Sequence, residues 1–337
     1  MNTQSDARVR RWLLASAGAV VVAVAIGGIT RLTESGLSIT EWKPVSGVLP
    51  PMSDGEWGEA YASYLKIPEA LTVHRGITME QFKTLFWWEW VHRLLARVVG
   101  LVLAVPYFWL LVRGEIRPAH RGRLLLLPIL AAAQGALGWY MVKSGLEVRT
   151  DVSPYRLTAH LGMALILYVV CVWTALDLGA RPAPGVRTPR PLRRAIAVGL
   201  SLTFVTVLSG GFVAGLDAGK IFNTFPLMGG QLVPPGYLLP DIGWRNAFEN
   251  PAAAQFHHRV LAIFTATLLL VVTFAARRAA VSPRLLRATN AAGVTVLLQL
   301  TLGIATLLLG VPVVVGVLHQ VTALAVLTAM LVAEHRA

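Results

Sequence analysis

Eight long apolar segments decide what this chain can fold into. Only 14% of its 337 residues are charged and 55% are hydrophobic, whereas soluble domains carry roughly 25% charged residues. A helix needs about 20 consecutive apolar residues to cross a bilayer. Eight segments approach or exceed that length: 12–30, 87–112, 124–142, 157–178, 195–213, 256–276, 288–308 and 311–333. The sequence therefore predicts an all-α polytopic membrane protein with eight transmembrane helices, here called spans 1 to 8.

Basic residues are concentrated on one side of these spans. The loops on the side of the N-terminus contain 17 Lys and Arg residues and four acids, whereas the opposite loops contain 10 basic and 12 acidic residues. The positive-inside rule therefore predicts cytoplasmic termini in a bacterial inner membrane. The long loops 31–86 and 214–254 then face outward, with short helical turns such as Asp54–Leu65. The net charge of +13 does not indicate nucleic-acid binding, because the basic residues are scattered between apolar runs.

The two halves of the sequence resemble each other. Four motifs of the first half recur in the second: Gly27-Gly28 as Gly210-Gly211, Glu89-Trp-Val-His-Arg93 as Gln255-Phe-His-His-Arg259, Gln134-Gly-Ala-Leu-Gly138 as Gln299-Leu-Thr-Leu-Gly303, and His160 as His319. Because each half has an even number of spans, both copies insert in the same orientation. We therefore predict two four-helix bundles, residues 1–180 and 181–337, related by a pseudo-two-fold axis along the membrane normal.

Four histidines are predicted to lie at similar depth near the outer face, one near the start of each even-numbered span: His92, His160, His258 and His319. Polar residues at such depth are usually functional. Two imidazoles per bundle are the donor set for axial ligation of a haem iron, so the pattern predicts one haem in each half. Any one histidine alone is equally well explained by an interhelical hydrogen bond. Zinc is less favoured, because neither half supplies the remaining Cys or carboxylate ligands.

His257 adjoins His258 and could replace it as the ligand, although the shared His-Arg pair favours His258. Arg93 and Arg259 directly follow their histidines. Since a guanidinium binds carboxylates through two hydrogen bonds, both arginines are candidates for contacts with haem propionates. Snorkelling to the interface explains each of them equally well. Arg97 lies one turn deeper and could pair with an acid or a propionate.

Glu89 is the acidic residue that we predict to take part in chemistry. It precedes His92 by three positions, so both side chains share one helical face and the carboxylate would project towards a ligand of that histidine. A carboxylate in a membrane can accept a proton or stabilise a developing cation. Its repeat partner, Gln255, is neutral, which indicates that the N-terminal site is the reactive one. The alternative is that Glu89 only pairs with Arg93 or Arg97.

Five motifs together resemble the haem A synthase family of alphaproteobacteria and mitochondria over essentially the full length: Glu89–Arg93, Leu157–Gly162, Phe222–Pro226, Gln255–Arg259 and Leu318–Gln320. The resemblance implies oxidation of the C8 methyl group of haem O to a formyl group, which gives haem A for cytochrome oxidase. It also implies that His92 and His160 flank the substrate haem beside the essential acid Glu89. His258 and His319 would ligate a haem b cofactor.

The resemblance implies partners as well. Haem O would arrive from a haem O synthase, other cytochrome oxidase assembly factors would act nearby, lipid would surround the spans, and a homo-oligomer is compatible with the sequence. Gram-positive members often carry a cysteine pair in an outer loop, whereas this chain has Cys171 alone, inside a span.

Two other function classes stay open on the residues alone. A di-haem b-type electron-transfer cytochrome without catalysis explains the four histidines but not the exchange of Glu89 for Gln255. A transporter is compatible with the internal repeat, but the spans lack Pro or Gly breaks at mid-membrane.

Overall fold

The computed structural model describes residues 3–147, 151–179 and 187–337. Within these residues, eight helices are long and apolar enough to cross a membrane, and no β-strand is formed. The eight helices are α1 Thr3–Leu32, α2 Met79–Val112, α3 Pro118–Glu147, α4 Pro154–Asp177, α5 Arg190–Gly215, α6 Pro251–Arg278, α7 Pro283–Leu308 and α8 Val313–Arg336. The predicted all-helical membrane fold is confirmed. The predicted boundary between the halves, at residues 180 and 181, lies outside the described residues.

Several helices begin before the predicted apolar segments because polar caps stabilise their ends. Helix α2 begins at Met79, where Thr78 and Gln81 form a reciprocal capping box. Helix α7 begins at Pro283, where the Ser282 side chain accepts a hydrogen bond from a backbone amide of the first turn. Hydropathy alone could not find these ends, since the caps lie outside the apolar residues.

The helix contacts follow the internal repeat. In the first half, α1 packs against α2 and α4, and α3 packs against α2 and α4; α5 to α8 repeat that pattern. The two groups meet where α1 contacts α8, α4 contacts α5, and α4 contacts α8. At the last of these contacts, Tyr168 Oη lies 2.6 Å from Thr328 Oγ1. These contacts are those expected of two four-helix groups related by a two-fold axis.

The first long loop folds over the N-terminal group of helices. It contains the helices Asp54–Tyr64 and Pro68–Thr72, which confirms the predicted helical turn from Asp54. Leu37, Tyr64 and Phe82 of a separate apolar cluster are almost completely buried where the loop meets the start of α2. The loop is therefore a packed cap rather than a solvated connection.

Arg31, at the end of α1, ties the two groups together. Its guanidinium binds Asp151 at 2.8 Å and Asp217 at 2.7 Å, and it also donates to the carbonyl oxygen of Ala214 in α5. One arginine thus links three chain segments at the same end of the helix bundle.

Candidate functional site

The four histidines lie in equivalent surroundings on α2, α4, α6 and α8. His92 is close enough to His160, and His258 to His319, for their charges to interact. Each imidazole rests against a glycine of a neighbouring helix: His92 against Gly27, His160 against Gly138, His258 against Gly210 and His319 against Gly303. A Cβ atom at any of these glycines would lie only 2.7–3.2 Å from the ring carbon Cε1. The repeat motifs therefore encode two equivalent pairs of histidines.

The C-terminal pair is fixed by hydrogen bonds behind the rings. His258 Nδ1 lies 2.8 Å from Ser209 Oγ, and that hydroxyl lies 2.7 Å from the Thr206 carbonyl oxygen. Because the hydroxyl proton is donated to the carbonyl, Nδ1 of His258 must be the donor to Ser209. His319 Nδ1 donates to the carbonyl oxygen of Gln299 at 3.2 Å. The network therefore places the lone pair of both rings on Nε2, which is the arrangement of metal-binding histidines.

The N-terminal pair lacks this support. Nδ1 of His92 and Nδ1 of His160 are buried and have no hydrogen-bond partner among the described residues. Ile26 stands where the second half has Ser209, and its side chain cannot accept a hydrogen bond. The Gln134 amide lies 3.3 Å from His160 Nε2, as the Gln299 amide lies 3.4 Å from His319 Nε2. The two halves thus share the histidines and glutamines but differ in what holds the rings.

Glu89 is 2% exposed and bound on both carboxylate oxygens. One oxygen accepts from Arg93 Nε at 3.0 Å and from Nη2 at 2.6 Å. The other accepts from Ser38 Oγ at 2.8 Å and from the Ile39 amide at 2.6 Å. These four donors fix the orientation of the carboxylate. The pairing with Arg93 that the sequence left open is formed, and none of these bonds runs to His92.

Arg93 and Arg259 make equivalent contacts with the two outer loops. Arg93 donates to the carbonyl oxygens of residues 39 and 41, at 2.7 and 3.0 Å. Arg259 donates to those of residues 222 and 224, at 2.7 and 2.8 Å. Each arginine therefore binds one of the two long loops, 31–86 or 214–254, to the helix that contains the neighbouring histidine. Arg97 binds the carbonyl oxygens of Lys43 and Pro44 rather than Glu89.

His257 and Cys171 lie apart from these pairs. His257 Nε2 lies 2.9 Å from the hydroxyl of Tyr237 in the second outer loop, while its neighbour His258 takes the position equivalent to His92. Cys171 is buried in the apolar core of α4. A cysteine buried in apolar surroundings of this kind is structural rather than reactive.

A small cavity adjoins Arg93, and a buried acid lies within the first loop. The cavity of about 230 Å³ is lined by Arg93, Trp42 and Trp139. In the loop helix Pro68–Thr72, Glu69 lies 3.5 Å from the Tyr64 hydroxyl. Burial raises the pKa of Glu69 to about 8, and nearby carboxylates add to the effect. Burial likewise raises the pKa of Tyr64 above its usual value, with the charge of Glu69 as the next cause.

The sequence did not indicate Ser209, and it matched Gly303 to Gly138 without predicting the contact of Gly303 with His319. Ser209 and Gly303 act through contacts with side chains of other helices, and neither residue type signals ligand binding. The repeat could have indicated Ser209. Gly27 and Gly210 match, and the residue before each of them differs, since Ile26 is apolar and Ser209 is polar.

Comparison with known proteins gives full-length matches. The family model COX15-CtaA, described as "Cytochrome oxidase assembly protein", matches residues 10–331. A protein named Heme A synthase from Bradyrhizobium sp. (strain ORS 278) is 44% identical over 335 residues, which cover 98% of this chain and 92% of the relative. Heme A synthase from Rhodopseudomonas palustris (strain ATCC BAA-98 / CGA009) is 46% identical over 330 residues, covering 95% and 86%. Heme A synthase from Nitrosospira multiformis is 42% identical over 327 residues, covering 96% and 92%.

Proposed function

This chain belongs to the COX15-CtaA family of cytochrome oxidase assembly proteins, and we propose on that basis that it is a haem A synthase. It is then an oxidoreductase that converts haem O to haem A by oxidising the C8 methyl group to a formyl group. The full-length similarity to several proteins named Heme A synthase and the eight-helix fold support this assignment.

We propose that the two halves divide the haems between them. The substrate haem O binds between His92 and His160, and a resident haem b binds between His258 and His319. The observation that carries this division is the difference in hydrogen bonding behind the rings. Partners of this kind change metal affinity by about 10- to 100-fold. A cofactor must stay bound through turnover whereas a substrate must leave as product, so the fixed pair suits the cofactor and the unsupported pair suits the substrate.

The residues of the C-terminal half fit a haem. The lone pair of both His258 and His319 lies on Nε2, the atom that would bind a metal, and on His319 the Gln299 amide, 3.4 Å away, would have to move aside. Gly210 and Gly303 leave room for the edges of these two imidazole rings. When bound, haem b supplies one-electron transfer. The chain's own contribution is to hold the two imidazoles in one tautomer and one orientation.

Glu89 acts on the substrate side. We propose that its charge stabilises an electron-poor methyl carbon, since a carboxylate in a dry site acts more strongly than one in water. The four donors around it hold it in place. For Glu89 to accept a proton, one of these donors would first have to move. Contacts of Arg93 and Arg259 with propionates stay a prediction, and each would require a propionate to replace a loop carbonyl oxygen.

Glu89→Gln tests the catalytic role. The amide keeps the shape but removes the charge, and we expect haem A formation to fall by about 100-fold or more, as for removal of one electrostatic contact to a transition state. Haem content per polypeptide is the control and should not change. Normal haem A production by a fully loaded variant would contradict the assignment.

The division of the haems is tested by extracting haems from protein made with and without a supply of haem O. Wild-type protein should contain haem b in both cases, and haem O or haem A only when haem O is supplied. His258→Ala and His319→Ala should lose haem b, whereas His92→Ala and His160→Ala should keep it. Loss of haem b from the His92 variant would contradict the division. A protein that holds only haem b in every case would favour the electron-transfer cytochrome.

We propose the remaining features from the sequence. The arginine-rich ends of the helices face the cytoplasm, the histidine pairs lie near the outer face of a bacterial inner membrane, and residues 1–180 and 181–337 form the two functional halves. Haem O synthase and other assembly factors of cytochrome oxidase are the expected partners, and self-association is compatible with the fold.

A further inference from the structure

A groove of about 730 Å³ lies between α1, α4, α7 and α8. It opens at the arginine-rich face, where α7 begins and α8 ends. Arg284, Arg287 and Arg336 line this opening, and small or apolar side chains such as Ala325 line the wall deeper in. No acidic residue occurs among the described residues that line the groove. The groove is therefore apolar inside and cationic at its mouth.

The groove has the depth of one membrane leaflet. Its lining on α8 runs from Val321 to Arg336, which corresponds to about 22 Å at 1.5 Å per residue. Half of a hydrocarbon core about 30 Å thick is about 15 Å. The lining therefore extends from near the middle of the bilayer to the level of the head groups on the arginine-rich side.

The arginines at the mouth lie close to one another. Arg336 is near enough to Arg284, and to Arg10 of α1, for their charges to repel. An anion placed among them removes this repulsion, and a guanidinium binds phosphate through two parallel hydrogen bonds. Basic pockets between transmembrane helices on this side of a membrane suit the head groups of acidic lipids.

We propose that this groove is a binding site for an anionic phospholipid. The phosphate lies among Arg284, Arg287 and Arg336, and one acyl chain lies along the wall that Ala325 lines. A zwitterionic lipid fits less well, because its own cation would meet the arginines. About halfway along the groove lie Tyr168 and Thr328, whose hydroxyls join α4 to α8 where the two halves meet. A bound lipid therefore also braces the contact between the halves.

The test compares lipid retention by the full chain purified in mild detergent with an equimolar mixture of phosphatidylglycerol and phosphatidylcholine, measured by native mass spectrometry. Wild-type protein should retain phosphatidylglycerol in preference. Arg284→Gln/Arg287→Gln should weaken that retention by about fivefold for each arginine. Arg193→Gln/Arg194→Gln is the matched control, because these two arginines are exposed on the same face but do not line the groove.

Ala325→Trp tests the apolar part independently of charge. Ala325 is exposed in the groove, so the indole should fill the space of the acyl chain without disturbing a packed core. Retention of phosphatidylglycerol should fall although every arginine is present, while helicity by circular dichroism stays unchanged. Equal retention of both lipids by wild-type protein would overturn the proposal. So would full phosphatidylglycerol retention by either groove variant, or loss of bound haem O from the variants with lipid retention unchanged.

Discussion

Replacing Gly303 by alanine tests whether the glycine contact sets the position of a haem ligand. The new Cβ atom would lie 2.7 Å from Cε1 and 3.3 Å from Nδ1 of His319. Carbon atoms pack best at about 3.5–4.0 Å, so the ring would have to move by roughly 0.8 Å. Such a movement also breaks the 3.2 Å hydrogen bond from Nδ1 to the Gln299 carbonyl oxygen.

The cost of that movement depends on whether haem b is bound. In the haem-free protein the ring can turn, and the lost hydrogen bond, about 1 kcal/mol, is offset by the gain of up to about 1 kcal/mol for Ala over Gly within a helix. In the loaded protein the iron holds the ring, and overpacking costs about 1–3 kcal/mol. We therefore expect haem b affinity to fall by about 5- to 150-fold with little change in thermal stability.

The assay measures haem b per polypeptide by pyridine haemochrome after dilution into haem-free detergent. Gly135→Ala is the matched control, because a Cβ atom at Gly135 in α3 meets nothing within 4 Å. Gly210→Ala, with a Cβ distance of 3.2 Å to His258, should show a smaller loss than Gly303→Ala. If Gly303→Ala keeps haem b with an unchanged absorption spectrum, or if Gly135→Ala loses it equally, the reasoning is wrong.

Three further changes have distinct expected results. Ser209→Ala should lower haem b retention by about 10-fold or more without altering haem O binding, and equal losses of both haems in extracts would contradict the division between the halves. Glu69→Gln should remove a pH dependence of the free energy of unfolding. The buried acid has a pKa of about 8 in the folded protein against 4.5 in the unfolded chain, so the folded state binds more protons. The stability of the wild-type protein therefore falls between about pH 4.5 and 8, whereas that of the variant does not. Melting curves at pH 5 and 9 check this, and parallel curves for both proteins would refute it. Arg31→Met should lower the melting temperature by several degrees, because Asp151 and Asp217 lose their cation where the Arg31 side chain is only 14% exposed. The expected loss of stability is about 1–3 kcal/mol. An unchanged melting temperature would show that these ion pairs do not stabilise the fold.

The sequence predicted those parts of the structure that depend on local pattern. Apolar length predicted the eight helices, and the repeat predicted that His92 and His258 occupy matching places. The pairing of Glu89 with Arg93 was also within reach, since residues four apart on a helix are neighbours.

Contacts between distant segments were beyond prediction from one sequence. Ser38 and Ile39 bind Glu89 across about 50 residues, and the packing of the first loop decides that geometry. That Glu89 faces a ligand of His92 stays a prediction, while its bonds to Arg93 and to the loop are formed. The support of His258 by Ser209 depends on the rotation of α5 against α6, which periodicity does not fix.

The glycine contacts have a consequence for how such a molecule could arise from one duplicated unit. The spacing of the helices around each imidazole is the same in both copies, so the two halves can come to differ in function without a change of fold. Under the proposed division of the haems, a hydroxyl in place of an alkyl group beside Gly210 and an amide in place of an acid at Gln255 would give the two halves different ligands and different functions. Two halves can thus acquire different functions through substitutions of single side chains, while the glycine contacts that set the helix spacing stay the same.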